Sequence, residues 1–456
     1  MIASDSALLS AAYRRVFVAV LFLVCLFNFA DRAAFAVLSQ PIKTDLHLSD
    51  LQLGLLQGLS FALLYALLGL PIGRLAERAN RIWIVSAATL IWSAATAACG
   101  FAQGFAQLMV ARIGVGFGDA GFSAPTASLT SDHFPPLRRA SVMALIMLGT
   151  PAGLLFGSVV AGFAAGQWGW RAAFWAVGLP GLAVAALVLV VLREPPRGLA
   201  DGRSPRTAPP PLGAFLRAMV QRPALRSVVL GGAVAGFGMT AISQFLPMFL
   251  VRVHHIPIRE AGPLYGLISS VSLTIGLLAG SFGTDWLAKR DRRWPAWGAA
   301  CGLCMAPLVY LLAFRATGRT DVVLLLILAG SLLLLFYGPT IGMIQNLLEP
   351  GMRTTGAALF STLYTLFGAG LGPVFVGFVS DRFAQAAFAP GEFSAQCAGI
   401  IASPSALARA CAAASAAGIA DALQISVCVF FAAAALYLLA SRTLRAEFYA
   451  AQDAAR

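Results

Sequence analysis

Four charged residues lie within stretches of sequence that are otherwise apolar. Asp31 and Arg32 are adjacent in the first such stretch, and Arg112 and Asp119 share a later one. A charge inside a membrane helix is energetically costly, so it normally pairs with another charge and faces a cavity or pathway. Asp31 and Arg112 each fall roughly 10 Å below the predicted outer end of a helix, so we expect them to pair. Adjacent helix residues point in different directions, so we expect Arg32 to reach toward Asp119 or the cavity.

A carboxylate beside an arginine in this setting can carry a proton. Removal from water favours the neutral acid, whereas a nearby guanidinium favours the anion. Opening and closing of the site would shift that balance, so the carboxylate could exchange its arginine for a proton. The alternative is a static ion pair that only holds two helices together. The sequence leaves both possibilities open and does not decide between Asp31 and Asp119.

The composition places these residues in a membrane. Of the 456 residues, 59% are hydrophobic and 11% are charged, and the mean hydropathy is +0.81. Soluble domains carry about 25% charged residues because their surface meets water. A membrane helix needs about 20 residues. Stretches of this kind lie at about 16–38, 51–73, 82–102, 105–131, 140–165, 171–192, 225–251, 262–287, 296–315, 321–348, 355–380 and 421–441.

The twelve predicted helices divide into two halves of six. The expected units are an N-terminal bundle over 1–192, a charged and proline-rich linker over 193–224, and a C-terminal bundle over 225–456. A shift of 215 positions superposes a glycine series in the two halves, as expected for duplicated bundles of a transporter: Gly153 on Gly368, Gly157 on Gly372 and Gly162 on Gly377. The sequence therefore predicts an all-α membrane protein of two pseudo-symmetric six-helix bundles.

The basic residues predict the orientation. About 22 of the 32 lysines and arginines fall in loops on one side, which the positive-inside rule makes cytoplasmic. Both termini are then expected in the cytoplasm of a bacterial inner-membrane protein, with a long periplasmic loop at about 382–420. The net charge of +13 follows from these short clusters and does not indicate nucleic-acid binding.

The sequence gives little support for an enzyme function. No nucleophile, base and orienting group recur at a usable spacing, and no cysteine or histidine set has the spacing of a metal site. The histidines all map to loops or helix ends: His47, His133, His254 and His255. We expect no enzyme activity, no cofactor and no bound metal.

Several short motifs in the chain resemble the signature motifs of a known protein family. The loop after the second predicted helix runs from Gly73 to Arg81 as GRLAERANR, similar to the GxLADRxGRR signature of the major facilitator superfamily. The first helix has the N-x-x-D-R pattern of the spinster-like branch, from Asn28 to Arg32. The chain departs from that branch at Asp119, where glutamate is usual, which shortens the reach of the carboxylate by about 1.5 Å. The match is dense in the N-terminal half and looser in the C-terminal half.

The resemblance implies roles for further residues. It implies a cytoplasmic gate that includes Gly73, Glu77, Arg78 and Arg81. An acid-proline-arginine pattern repeats in the two halves and suggests loop bracing, by Asp132 with Arg138 and by Glu349 with Arg353. Polar residues that could line the cavity, or pack helices, are Asn28, Gln244, Tyr337, Gln345, Asn346 and Tyr364. An oxidising periplasm would permit a disulfide between Cys397 and Cys411, and free thiols are the alternative.

The function expected from these features is proton-coupled secondary transport by alternating access. Spinster-like proteins imply lysophospholipids or sphingoid lipids such as sphingosine 1-phosphate as substrates. A cavity with arginines would also accept an organic anion, such as a sugar acid, or a drug. The partners expected are the substrate, protons and membrane lipid, with the chain as a monomer. A membrane enzyme or a sensor is the alternative of another class.

Overall fold

The computed structural model describes residues 10–196, 199, 217, 219–348, 352–388, 391–397 and 405–453. All regular structure in these residues is helical. The first half contains α1 (Ala11–Leu46), α2 (Asp50–Gln57), α3 (Leu59–Arg78), α4 (Arg81–Cys99), α5 (Phe105–Asp119), α6 (Ser123–His133), α7 (Pro136–Met147), α8 (Gly149–Trp168) and α9 (Trp170–Val191). The second half contains α10 (Pro223–Arg252), α11 (Ile258–Ala288), α12 (Trp294–Arg315), α13 (Arg319–Leu334), α14 (Tyr337–Leu347), α15 (Arg353–Leu363), a π-helix (Tyr364–Leu371), α16 (Gly372–Ala387), α17 (Phe393–Cys397), α18 (Ala406–Val427) and α19 (Val429–Asp453).

The predicted class of an all-α membrane protein is confirmed. In the described residues, 11 helical stretches are long and apolar enough to cross a membrane. The remaining predicted span, 105–131, is occupied by two shorter helices, α5 and α6. The fold is therefore consistent with twelve crossing segments.

The expectation of one continuous helix over 105–131 is wrong at its centre. The α-helix ends at Asp119, and the next turn closes through tighter bonds, from Gly121 N–H to Gly118 O and from Phe122 N–H to Asp119 O. Gly118 also packs directly on α4, where a Cβ would lie 2.7 Å from the Ala88 carbonyl oxygen. The break places the Asp119 carboxylate at a helix end, which hydropathy alone does not reveal.

Contacts divide the chain into two compact units. Unit 1 comprises Met1–Leu48, Leu59–Arg206 and Ile256–Ser270, and unit 2 comprises Ser49–Gly58, Thr207–His255 and Val271–Arg456. Two short segments, Ser49–Gly58 and Ile256–Ser270, thus associate with the unit opposite to the one that their sequence half predicts. The predicted linker over 193–224 lies largely outside the described residues.

In unit 1, glycines let α8 approach the backbone of α1. A Cβ at Gly149, Gly153 or Gly157 would overlap the carbonyl oxygens of Phe22, Leu26 and Ala30 in turn. The four-residue spacing matches one helix face, as expected for helices that associate through small residues in lipid. This contact fixes the rotation of α1, and with it the directions of Asn28, Asp31 and Arg32.

In unit 2, the related glycines also make backbone contacts. Gly368 packs on Gly236 of α10, and a Cβ at Gly372 would lie 2.5 Å from the Phe237 carbonyl oxygen. The π-helix at Tyr364–Leu371 lies beside this contact, where Thr240 Oγ1 donates to Gly368 O at 2.6 Å. Close approach at glycines is thus a feature of both units.

A disulfide braces the region before α18. Cys397 and Cys411 are joined, with their Cα atoms 5.5 Å apart. Phe388 and Ala414 are buried in the same small cluster. The neighbouring residues 389–390 and 398–404 of the predicted periplasmic loop are outside the described residues.

Candidate functional site

Asp31 and Arg112 lie side by side in unit 1. Arg112 Nη1 donates to Asp31 Oδ2 at 3.2 Å, and each side chain is only 3% exposed. The guanidinium also lies over the ring of Phe35, 4.4 Å from its centroid. The hydroxyl of Thr96 on α4 donates to Asp31 Oδ1 at 2.7 Å. This first pair is therefore buried, with the Phe35 ring against the arginine and the Thr96 hydroxyl against the carboxylate.

Asp119 and Arg32 form a second pair. Arg32 Nη2 donates to Asp119 Oδ2 at 2.5 Å, and the side chain of Arg32 is 29% exposed against 5% for Asp119. Asn28 Nδ2 donates to the other carboxylate oxygen, Oδ1. Asn28, which the sequence suggested as a cavity-lining residue, is 5% exposed and contacts Asp119 directly. Of the two pairs, the second is the one whose arginine is partly exposed.

The helices explain why these pairs form. Asn28 and Arg32 are one turn apart on α1, so they point to the same side and reach the same carboxylate. Asp31 lies on a different face and meets α4 and α5. Each of α1 and α5 contributes one acid and one base, so the four charges cancel. Protonation of either acid would add one positive charge to this balanced set, and an anionic group bound to the released arginine would restore the balance.

The α1–α8 contact predicts the effect of a small substitution. In Gly157→Ala, the added methyl would lie 2.5 Å from the Cα of Ala30, so two backbones must move apart. We expect a loss of about 1–3 kcal/mol in the free energy of unfolding, as for other overpacked sites. The measurement is thermal or denaturant unfolding of purified protein in detergent. Gly69→Ala is the matched control, because a Cβ at Gly69 meets no atom within 4 Å; equal stability of the two variants would contradict the prediction.

The predicted gate residue Arg81 is buried within unit 1. Its side chain is 0% exposed and pairs with Asp132 and, at 2.7 Å, with Glu194. Its Nη1 also donates to Ser128 Oγ at 2.8 Å, and Glu194 Oε2 accepts from the Arg81 backbone N–H at 2.9 Å. The sequence assigned Glu194 to the linker and gave it no role. Its position directly after α9 brings it back to the start of α4.

Other predicted gate and bracing residues have different fates. Arg78 is exposed at the end of α3, whereas the surroundings of Gly73 and the side chain of Glu77 are outside what the structure describes. Asp132 accepts from Arg81 and Arg138 is exposed, so the brace between Asp132 and Arg138 stays a prediction. Glu349 and the side chain of Arg353 are also outside the described residues, so the second brace stays a prediction.

Unit 2 contains a buried ion pair that the sequence did not reveal. Arg252 donates to both oxygens of Asp50, at 2.7 and 2.8 Å, and Ser380 Oγ donates to Asp50 Oδ2 at 2.7 Å. The carboxylate of Asp381 accepts from the backbone N–H groups of Asp50 and Leu51 at the start of α2. Asp50, Arg252 and Asp381 all fall close to the ends of predicted spans, where charges are ordinary. Only the fold brings them together.

Two of the predicted cavity residues of unit 2 contact each other. The rings of Tyr337 and Tyr364 meet edge to face, with centroids 5.8 Å apart. Gln345 and Asn346 are exposed, and the backbone oxygen of Gln244 accepts from Gln57 Nε2 at 3.4 Å. Among the described residues, no group of three or more histidine, cysteine, aspartate or glutamate side chains could hold a metal ion.

An all-α membrane fold with buried carboxylate–arginine pairs in its membrane segments is typical of transporters, which place charges along ion and substrate pathways. The model of the Major Facilitator Superfamily matches residues 20–373. The chain belongs to this superfamily, and its helices form the two six-helix bundles of the major facilitator fold.

Two relatives and one solved structure show which members of the superfamily the chain is similar to. The chain is 31% identical over 366 residues to an MFS-type efflux pump of Mycolicibacterium smegmatis, covering 80% of this chain and 84% of that one. It is 28% identical over 399 residues to human Protein spinster homolog 1, covering 82% and 74%. The crystal structure of a bacterial homolog to the human lysosomal transporter Spinster, in an inward-facing and unoccupied conformation, matches with a TM-score of 0.85. That structure is 31% identical, with 96% of this chain and 99% of that one covered. The chain is therefore a transporter of the spinster type.

Proposed function

We propose that the protein is a secondary transporter driven by protons, with Asp119 as the residue that takes up the proton. The observation that carries this proposal is the pair of buried carboxylate–arginine contacts in unit 1. Charged side chains in membrane segments mark ion and substrate pathways, and acids among them commonly relay protons. Neither pair is needed to explain the packing of α1, which its glycine contacts with α8 already fix.

The exposure of the two arginines favours Asp119 over Asp31. Arg32 is 29% exposed. A charge exposed within a membrane segment normally faces a cavity or pathway, so we infer that water or an anionic substrate reaches the Asp119 pair through it. Arg112 is 3% exposed and is held between Asp31 and the Phe35 ring. In this proposal, Asp31 and Arg112 hold the helices of the site in place. Arg32 binds either the Asp119 carboxylate or the substrate, so the two compete for its guanidinium. An anionic group that binds Arg32 would release Asp119 to accept a proton.

The proposed substrates are lysophospholipids or sphingoid-type lipids. The spinster-type relatives support this choice, since the resemblance to that branch implies such amphiphiles. The partly exposed Arg32 suits an anionic headgroup. The efflux-pump relative supports a second candidate, export of drugs, and an organic anion such as a sugar acid would use the same guanidinium.

Placement in the membrane follows the charge distribution. We propose a bacterial inner-membrane location, both termini in the cytoplasm, and a monomer. Glu77 and Arg78 would then belong to the cytoplasmic gate. The Cys397–Cys411 disulfide would face the oxidising periplasm, which permits such bonds.

A flux assay tests the proposed function. Purified protein is placed in liposomes with an imposed pH gradient, and movement of a fluorescent lysophosphatidylethanolamine, sphingosine 1-phosphate, glucuronate and ethidium is followed. We expect gradient-dependent flux of the lysolipid, abolished when an ionophore collapses the gradient. Flux of glucuronate or ethidium alone would select the alternatives. No gradient-dependent flux of any probe would refute proton-coupled transport of these classes.

A further inference from the structure

Asn28 is the second partner of the Asp119 carboxylate. Its Nδ2 donates to Oδ1, while Arg32 donates to Oδ2, so both oxygens are occupied by donors. Asn28 is only 5% exposed, and so it is shielded from competing water. The carboxamide comes from the same face of α1 as Arg32, one turn earlier. Asp119 therefore receives both of these contacts from a single helix face.

The two partners differ in what they can do when a proton arrives. A guanidinium has only donors, so Arg32 cannot accept a hydrogen bond from a protonated acid. A carboxamide has both a donor and an acceptor, and it exchanges them when it turns by half a revolution. Asn28 can thus donate to the carboxylate, or accept from the carboxylic acid, at the same place. A proton on Oδ1 would be satisfied by Asn28 while Arg32 turns to the substrate.

Two other titratable side chains lie close enough to Asp119 to interact with its charge, Tyr65 of α3 and Cys25 of α1. Tyr65 also interacts with Ser123, and the Cys25 sulfur lies 3.7 Å from Thr150 Oγ1. Arg32 and Asn28 both donate to the Asp119 carboxylate, and of these two Asn28 alone has both hydrogen-bond roles.

We propose that Asn28 is a positioning residue that sets the proton affinity of Asp119 by changing from donor to acceptor as the acid binds a proton. This inference deepens the proposed function and rests on it for the role of Asp119. In this step a hydronium ion gives its proton to Oδ1 and becomes water. The amide turns, so the hydrogen bond from Asn28 Nδ2 is exchanged for one from the new carboxyl O–H to the amide oxygen, and Arg32 releases Oδ2.

The experiment measures the proton on Asp119 directly. Infrared difference spectra of purified protein in lipid are recorded against pH, and the carbonyl band of the protonated carboxyl is assigned by its absence in Asp119→Asn. Asn28→Leu keeps the branching at Cγ, is larger in volume, and removes both hydrogen-bond roles. A hydrogen bond to a charged acceptor is stronger than one to a neutral group, so its loss destabilises the anion more. We expect the band midpoint to move to a higher pH by about one unit.

Asn28→Asp provides a second test, in case the leucine variant does not fold. Two carboxylates at one site share a proton, so the band should persist to a higher pH than in the unchanged protein. Gln167→Leu is the matched control, since Gln167 is an exposed amide on α8, and its midpoint should not move. An unchanged or lowered midpoint in the Asn28 variants would overturn the inference. A shifted midpoint in a protein without gradient-driven flux would instead refute the proposed function and leave the role of Asn28 standing.

Discussion

Asp119→Asn is expected to abolish accumulation driven by a pH gradient while leaving substrate exchange intact. Each pH unit stores about 1.4 kcal/mol per proton, enough for about a tenfold concentration ratio if one proton moves per substrate. An amide cannot bind the proton, so the ratio should fall to about one. Asparagine keeps the size of the side chain and can still accept from Arg32. Accumulation in proteoliposomes at a fixed pH difference is the measurement.

The matched control for this variant is exchange at equal pH on both sides. Counterflow of labelled against unlabelled substrate needs binding and the conformational cycle, but no net proton movement. We expect the Asp119→Asn protein to retain it. If accumulation remains at the level of the unchanged protein, Asp119 has no part in coupling. Loss of exchange together with accumulation would mean that the residue serves binding or folding instead.

Arg81→Met should have the largest effect on stability. The side chain of Arg81 is 0% exposed, and its loss leaves Asp132 and Glu194 without their shared cation. Removal of one partner from a buried ion pair costs about 3–5 kcal/mol, because the remaining charge stays out of water. We expect a poorly accumulating protein with a much lower midpoint of thermal unfolding.

Arg78→Met is the control for that prediction. Arg78 belongs to the same motif, three residues earlier, but its side chain is exposed at the end of α3. Its replacement should leave the unfolding midpoint nearly unchanged and affect only transport, as expected for a gate residue. Equal destabilisation by both substitutions would mean that the burial of Arg81 does not determine its contribution. A fully stable Arg81→Met protein would contradict the structural role of this buried guanidinium.

The sequence predicted much of the unit 1 site because its residues obey local rules. Charges that interrupt apolar stretches are conspicuous, and the rise of a helix shows which of them lie at one depth. That reasoning predicted a pair between Asp31 and Arg112, and it predicted that Arg32 would reach either Asp119 or the cavity. Both contacts occur in the structure. The glycine repeat likewise pointed to close helix packing in both halves.

What the sequence could not supply depends on contacts between distant segments. Glu194 reaches Arg81 only because α9 ends beside the start of α4, and Asp50 meets Arg252 only in the folded unit 2. Each of these charges lies near the end of a predicted span, where a solvated residue is the ordinary expectation. The sequence predicted Asn28 only as a polar residue that could line the cavity, because its hydrogen bond to Asp119 joins two helices that are far apart in the chain. The helix break after Asp119 was hidden because Gly118 and Gly121 do not interrupt the apolar stretch by hydropathy.

The most direct test of the central claim is proton movement driven by substrate. Proteoliposomes with a pH-sensitive dye inside, and no initial pH gradient, are given a gradient of the lysolipid that the flux assay identifies. The unchanged protein should shift the internal pH as substrate moves, whereas Asp119→Asn should exchange substrate without any pH change. Substrate flux without a pH change in the unchanged protein, or an undiminished pH change in Asp119→Asn, would contradict proton coupling through Asp119.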